Sequence, residues 1–72
     1  MKHYYVFPLF TKSFSSLEDA KWNIKIAFTR REALKYLHNE EIHHYIGDKL
    51  HSITPVMLDE FGNISFGKTR RV

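Results

Sequence analysis

The chain has 72 residues, no cysteine, 43% hydrophobic and 26% charged residues. That composition describes one folded domain at most, and it excludes disulfides, thiolate metal sites and cysteine nucleophiles. Eleven Lys+Arg against eight Asp+Glu leave a net charge of +3, a weak basis for the dense patch that nucleic acid usually demands.

The charge is unevenly spread. Residues 1–37 hold seven basic and three acidic residues, and residues 38–67 hold one basic and five acidic. Lys68, Arg70 and Arg71 then supply the whole excess. The expected organisation is a single α+β domain over 1–67 with a flexible basic C-terminal tail over 68–72. A chain this short buries only about 60% of its unfolded surface. Its eleven aromatic residues (one Trp, four Tyr, six Phe) must therefore carry much of the core.

His3–Phe10 is aromatic and β-branched, which predicts a first strand. Its seven-residue apolar run, Tyr4–Phe10, is far short of the ~20 residues that span a bilayer. No small-residue cleavage site follows it, so no membrane or secretory role is expected. Without cysteine or a leader, a cytoplasmic location is expected. Tyr5, Phe7 and Leu9 fall on one face and Tyr4, Val6 and Phe10 on the other. Pro8 cannot donate a ladder hydrogen bond and belongs near the strand end.

Thr11–Ala20 reads as a polar connection, with Ser16 able to cap a single helical turn. In Lys21–Phe28, Trp22, Ile24, Ile26 and Phe28 alternate with Lys21, Asn23, Lys25 and Ala27. That period of two predicts a second strand with one buried face and one wet face. Thr29 followed three residues later by Glu32 fits a capping box. A helix carrying Ala33, Leu34 and Leu37 should follow. The five-residue step from Leu37 to Ile42 turns the apolar stripe away, so a break is expected near His38-Asn39. Asn39 would cap a second short helix that Gly47 ends.

Leu50–Leu58 reads as a third strand, with Pro55 marking an edge or a bulge. Asn63–Lys68 reads as a fourth. Residues 59–63 between them suit a hairpin loop, with Gly62 in its left-handed position. The expected architecture is a two-layer α+β sandwich. Its mostly antiparallel sheet runs in the order β-β-α(-α)-β-β, with the helices on one face. This element order resembles that of several small bacterial and phage proteins, among them a phage inhibitor of host RNA polymerase. The resemblance is of order alone and implies no functional residue.

Catalytic signals are lacking. The chain has no Gly-rich phosphate loop, no G-x-S-x-G and no H-E-x-x-H. A domain of this size leaves little volume for a pocket of ~300 Å³. No enzymatic activity, cofactor or small-molecule substrate is expected. Glu40 with His43 and Glu41 with His44 form Glu-x-x-His pairs. On one short helix they read as a solvated face rather than a metal site.

Two binding readings remain. The first is a protein-binding or regulatory module, self-associating or docking on a host factor. It would act through an aromatic sheet face of Tyr4, Val6 and Phe10 that one layer of helices leaves uncovered. The alternative is nucleic-acid binding. Lys21, Asn23 and Lys25 would project from a wet strand face, Arg30 and Arg31 from a helix start, and Lys68, Arg70 and Arg71 from the tail.

Overall fold

The computed structural model describes residues 2–8, 12–27 and 40–72, the side chains of 25–27 excepted. The fold is α+β: one helix and a mostly antiparallel sheet among the described residues. In chain order the elements are β1 (His3–Phe7), β2 (Lys12–Phe14), α1 (Leu17–Ala27), β3 (Glu41–Ile46), β4 (Lys49–Leu58), β5 (Ile64–Phe66) and β6 (Arg70–Arg71). The sheet runs β2-β1-β3-β4-β5, with β6 also paired to β4.

The first strand forms over His3–Phe7 rather than through Phe10, and Pro8 lies in the turn that ends it. Phe7 is buried with Ala20, Ile24, Ile42 and Val56. Tyr5, Phe14, Leu17, Leu58, Ile64 and Phe66 pack around them. The core therefore lies on the Tyr5–Phe7 side of β1.

The expected strand at 21–28 is a helix over its described part. Ser16 caps it, its Oγ accepting from the Asp19 amide at 3.1 Å, and Glu18 and Asp19 complement the positive end of the dipole. Leu17, Ala20 and Ile24 recur at helical spacing and face the core. Trp22, placed in the core by a period of two, is 64% exposed. The capping box at 29–32, the helix after it, the break near 38–39 and the residues Phe28, Arg30, Arg31 and Phe10 lie outside the described residues.

The second short helix expected over 39–46 is strand β3. Gly47 does not end a helix; it opens a two-residue turn with Asp48, between the paired Ile46 and Lys49. Its φ of 62° is the left-handed value such hairpins require. Strand alternation also dissolves the Glu-x-x-His pairs. Glu41 and His43 share one face, and His44 points to the other.

The expected third and fourth strands form close to where they were read, as β4 and the shorter β5. Asp59 organises the loop between them: its Oδ1 accepts from the amides of Phe61 and Asn63, and Gly62 has φ 82°. Pro55 sits mid-strand rather than on a bare edge. Its carbonyl accepts from the Gly67 amide at 2.9 Å. Its proton-free nitrogen faces the same side, where residues 67–69 separate β5 from β6. Thr54 and Thr69 join hydroxyls at 2.8 Å beside this junction. The tail expected to be a flexible arm is held at Arg70 and Arg71, which pair with Ile53 and Ser52.

Candidate functional site: the Tyr4–Tyr45 sheet face and the imidazole chain

Antiparallel register places Tyr4 opposite Tyr45, Val6 opposite His43, and His43 opposite Ile53. These five residues share the face away from Phe7 and Ile42, and all are half-buried. The Tyr4 and Tyr45 rings stack with centroids 5.2 Å apart and planes 7° from parallel. Residues 12–20, a segment long enough to fold over this face, instead form β2 and the start of α1, whose Ala20 joins the core on the opposite side. Of the expected interface, Tyr4 and Val6 are brought together here. Tyr45, His43 and Ile53 join them although the sequence reading placed Tyr45 and His43 on a helix.

The polar rim of this face is an ion-paired group. Arg70 Nη2 donates to Glu41 Oε1 at 3.1 Å, and Glu41 Oε2 lies 3.4 Å from His43 Nε2. The hydrogen bond from Arg70, foremost, holds the Glu41 carboxyl below its ordinary value against the opposing effect of desolvation, with His43 adding to the lowering.

Among the described residues, Lys21, Asn23, Lys68, Arg70 and Arg71 of the alternative reading do not converge; Arg30 and Arg31 lie outside the described residues. Lys21 sits on α1 with its ammonium 4.9 Å from the Phe66 ring centre. It lines a cleft of about 290 Å³ with Glu18, Trp22, Ile64 and Phe66. Asn23 is exposed on the same helix and donates to the Asp19 carbonyl. No wet strand face of Lys21, Asn23 and Lys25 exists, because α1 is a helix. Arg70 is engaged by Glu41, while Lys68 and Arg71 are exposed.

Behind the Tyr4–Tyr45 stack, on the core side, lies a group the sequence does not reveal. Pairing shifts between His44 and Tyr45: His44 faces Ser52 but Tyr45 faces Leu50, leaving His51 as the extra residue. The His44 and His51 rings meet edge to face at 5.3 Å. His44 also stacks on Tyr5 at 4.5 Å and on His3 at 5.5 Å. A chain of polar atoms results. His3 Nδ1 lies 3.4 Å from His44 Nε2, and His44 Nδ1 lies 3.3 Å from Ser52 Oγ. His51 Nδ1 lies 3.2 Å from the same hydroxyl, and Ser52 is buried. A neutral imidazole donates through one nitrogen and accepts through the other. The tautomer of His44 thus sets the donor direction of its bonds to His3 and Ser52, and when its Nδ1 accepts from the Ser52 hydroxyl, His51 Nδ1 must donate to that oxygen. Among the described residues no group of three or more His, Asp or Glu is arranged to hold a metal ion.

Burial, then the neighbouring His51 and His3, push the His44 pKa below its ordinary 6.5. A folded state that binds this proton less readily than the unfolded chain loses stability on acidification. Stability should be full above pH 6.5, fall as the pH drops below it, and level off beneath the folded pKa. Urea midpoints at about pH 7.5, 6.5 and 5.5 should decline in wild type and flatten in His44→Phe. An unchanged slope in that variant would remove His44 as the cause.

No protein-family model, curated protein or solved structure matches this chain. No described helix is long and apolar enough to cross a membrane.

Proposed function

We propose that this protein is a non-enzymatic binding module that docks on a protein, a second copy of itself included, through the sheet face that carries Tyr4 and Tyr45. The observation that carries the reading is the Tyr4–Tyr45 stack, bordered by Val6, His43 and Ile53 and rimmed by the Glu41–Arg70 pair. Flat aromatic area within a polar rim is the composition of protein interfaces. The reading takes the helical chain to lie on the Phe7 side only, in a two-layer arrangement. Nucleic acid is the weaker alternative, because Lys21, Arg70 and Arg71 face different surroundings instead of forming one stripe.

Sedimentation equilibrium at micromolar concentration tests the self-association branch, with 8.6 kDa as the monomer mass. Wild type should exceed that mass, and Tyr45→Glu should return to it while keeping wild-type circular dichroism. If wild type is a strict monomer, affinity capture from cytosol with wild type and Tyr45→Glu side by side decides the remainder. A protein retained by wild type and lost by the variant supports the reading. Retention of nucleic acid alone, released by raised salt, sinks it.

A further inference from the structure

β5 ends the path β2-β1-β3-β4-β5, and among the described residues no strand pairs with its outer side. Main-chain groups alternate in direction along an antiparallel strand. The Val56 amide donates to the Glu40 carbonyl on the β3 side of β4, so Pro55 and Met57 turn their main-chain groups toward β5. Ser65 and Gly67 answer them: Ser65 pairs with Met57, and the Gly67 amide donates to the Pro55 carbonyl at 2.9 Å. The amides and carbonyls of Ile64 and Phe66 therefore point outward.

The side chains of the same two residues line a cleft. Phe66 lies opposite Val56 and Ile64 opposite Leu58, on the core side of the sheet. There they face Glu18, Lys21 and Trp22 of α1 across a volume of about 290 Å³. Trp22, exposed to solvent, supplies a third apolar wall. One acid and one base leave the lining without net charge, so it favours no ionic ligand. Outward amides and carbonyls beside apolar walls are matched, group for group, by another extended main chain.

Such a chain meets this edge in two ways at once. Laid antiparallel to β5, its residues i and i+2 exchange main-chain bonds with Ile64 and Phe66. Residues directly opposite one another share a face, so the side chains at i and i+2 enter the cleft beside Trp22. The residue between them turns to the Ser65 side. Two bonding positions are too few to recruit a strand alone; the side-chain contact in the cleft makes the difference.

We propose that the β5 edge and the cleft beside α1 bind an extended segment of a partner protein as an added antiparallel strand, with apolar side chains at alternate positions in the cleft. The site is separate from the Tyr4–Tyr45 face, and the proposal stands whether or not that face docks a protein.

The test is amide NMR of the ¹⁵N-labelled chain with capped peptides. In the free chain, the Ile64 and Phe66 amides should exchange with solvent faster than those of Ser65 and Gly67. The peptide acetyl-Lys-Thr-Val-Thr-Phe-Glu-amide should shift Ile64, Phe66 and the Trp22 indole saturably and slow the exchange of both amides. Methylating the backbone nitrogens of its Val and Phe removes the donors that face β5, and should weaken binding by about tenfold or more. Methylating the nitrogen of the Thr between them, which faces away, should cost less than about threefold. Trp22 is 64% exposed, so Trp22→Ala should keep the fold, yet weaken the peptide by about tenfold. Tyr45→Glu should leave the peptide affinity unchanged, which separates this site from the docking face. Absence of saturable shifts at Ile64 and Phe66 would overturn the proposal. So would equal losses from the two methylation patterns, or undiminished affinity in Trp22→Ala. Protection of the two amides without peptide would mean that the edge is already paired, with a second copy if it grows with concentration, and would overturn it as well.

Discussion

Phe7→Ala should bring this domain to the edge of unfolding, with a loss of about 3–5 kcal/mol. Phe7 is 2% exposed, meets Phe14 edge to face at 5.7 Å, and shares the core with Ile24, Ile42 and Val56. At 0.05–0.15 kcal/mol per residue, a chain of this length has roughly 4–11 kcal/mol in total. One truncated ring removes a large part of that. Trp22→Ala is the contrast: the ring is 64% exposed, so the change should stay within about 0.5 kcal/mol. Urea unfolding of both variants measures the difference. Comparable losses at the two positions would mean that α1 presents a different face to the sheet.

Gly47→Val should be the next largest, at about 1–2 kcal/mol, and for a reason that involves no packing. A Cβ at Gly47 would meet nothing within 4 Å, yet the backbone holds φ +62°. The cost is therefore the left-handed conformation itself, heavy for a β-branched residue and light for Asn. Gly47→Asn should recover most of the loss in the same urea experiment. Equal destabilisation by Asn and Val would point to side-chain crowding in the turn and refute the backbone account.

How much of this was legible in the sequence depends on how far each signal reached. Signals complete within a few residues held: Pro8 at a strand end, Ser16 as a cap, and the loop that Asp59 and Gly62 close before β5. The errors came where two periods competed. Trp22, Ile24 and Ile26 alternate, but Leu17, Ala20 and Ile24 also form a helical stripe, and only the second begins at the Ser16 cap. Severing the cap from its stripe at residue 20 turned a helix into a strand. In the same way Ile42, Tyr45 and Ile46 satisfy a helical spacing, while the Gly-Asp pair that follows is a hairpin signal. Reading that pair as a turn would have put Tyr45 beside Tyr4 on the face away from Phe7. The imidazole chain was out of reach by any local rule. It needs the one-residue shift in β4 that turns His51 toward His44, and only the paired strands define that shift.

The junction at Pro55 bears on what this protein does in a crowded solution. A ten-residue strand such as β4 would, if bare along one side, template growth of further strands from other molecules. Here that side is shared between two short pieces, three residues of β5 and two of β6, with a proline facing the gap. Gly67 lies so close that an added Cβ would come within 3.2 Å of the proline ring, so the gap is filled by chain. What remains on the outside is broken into lengths too short to recruit an incoming strand. The terminal basic residues thereby cover part of the β4 edge, through their backbone rather than their charge.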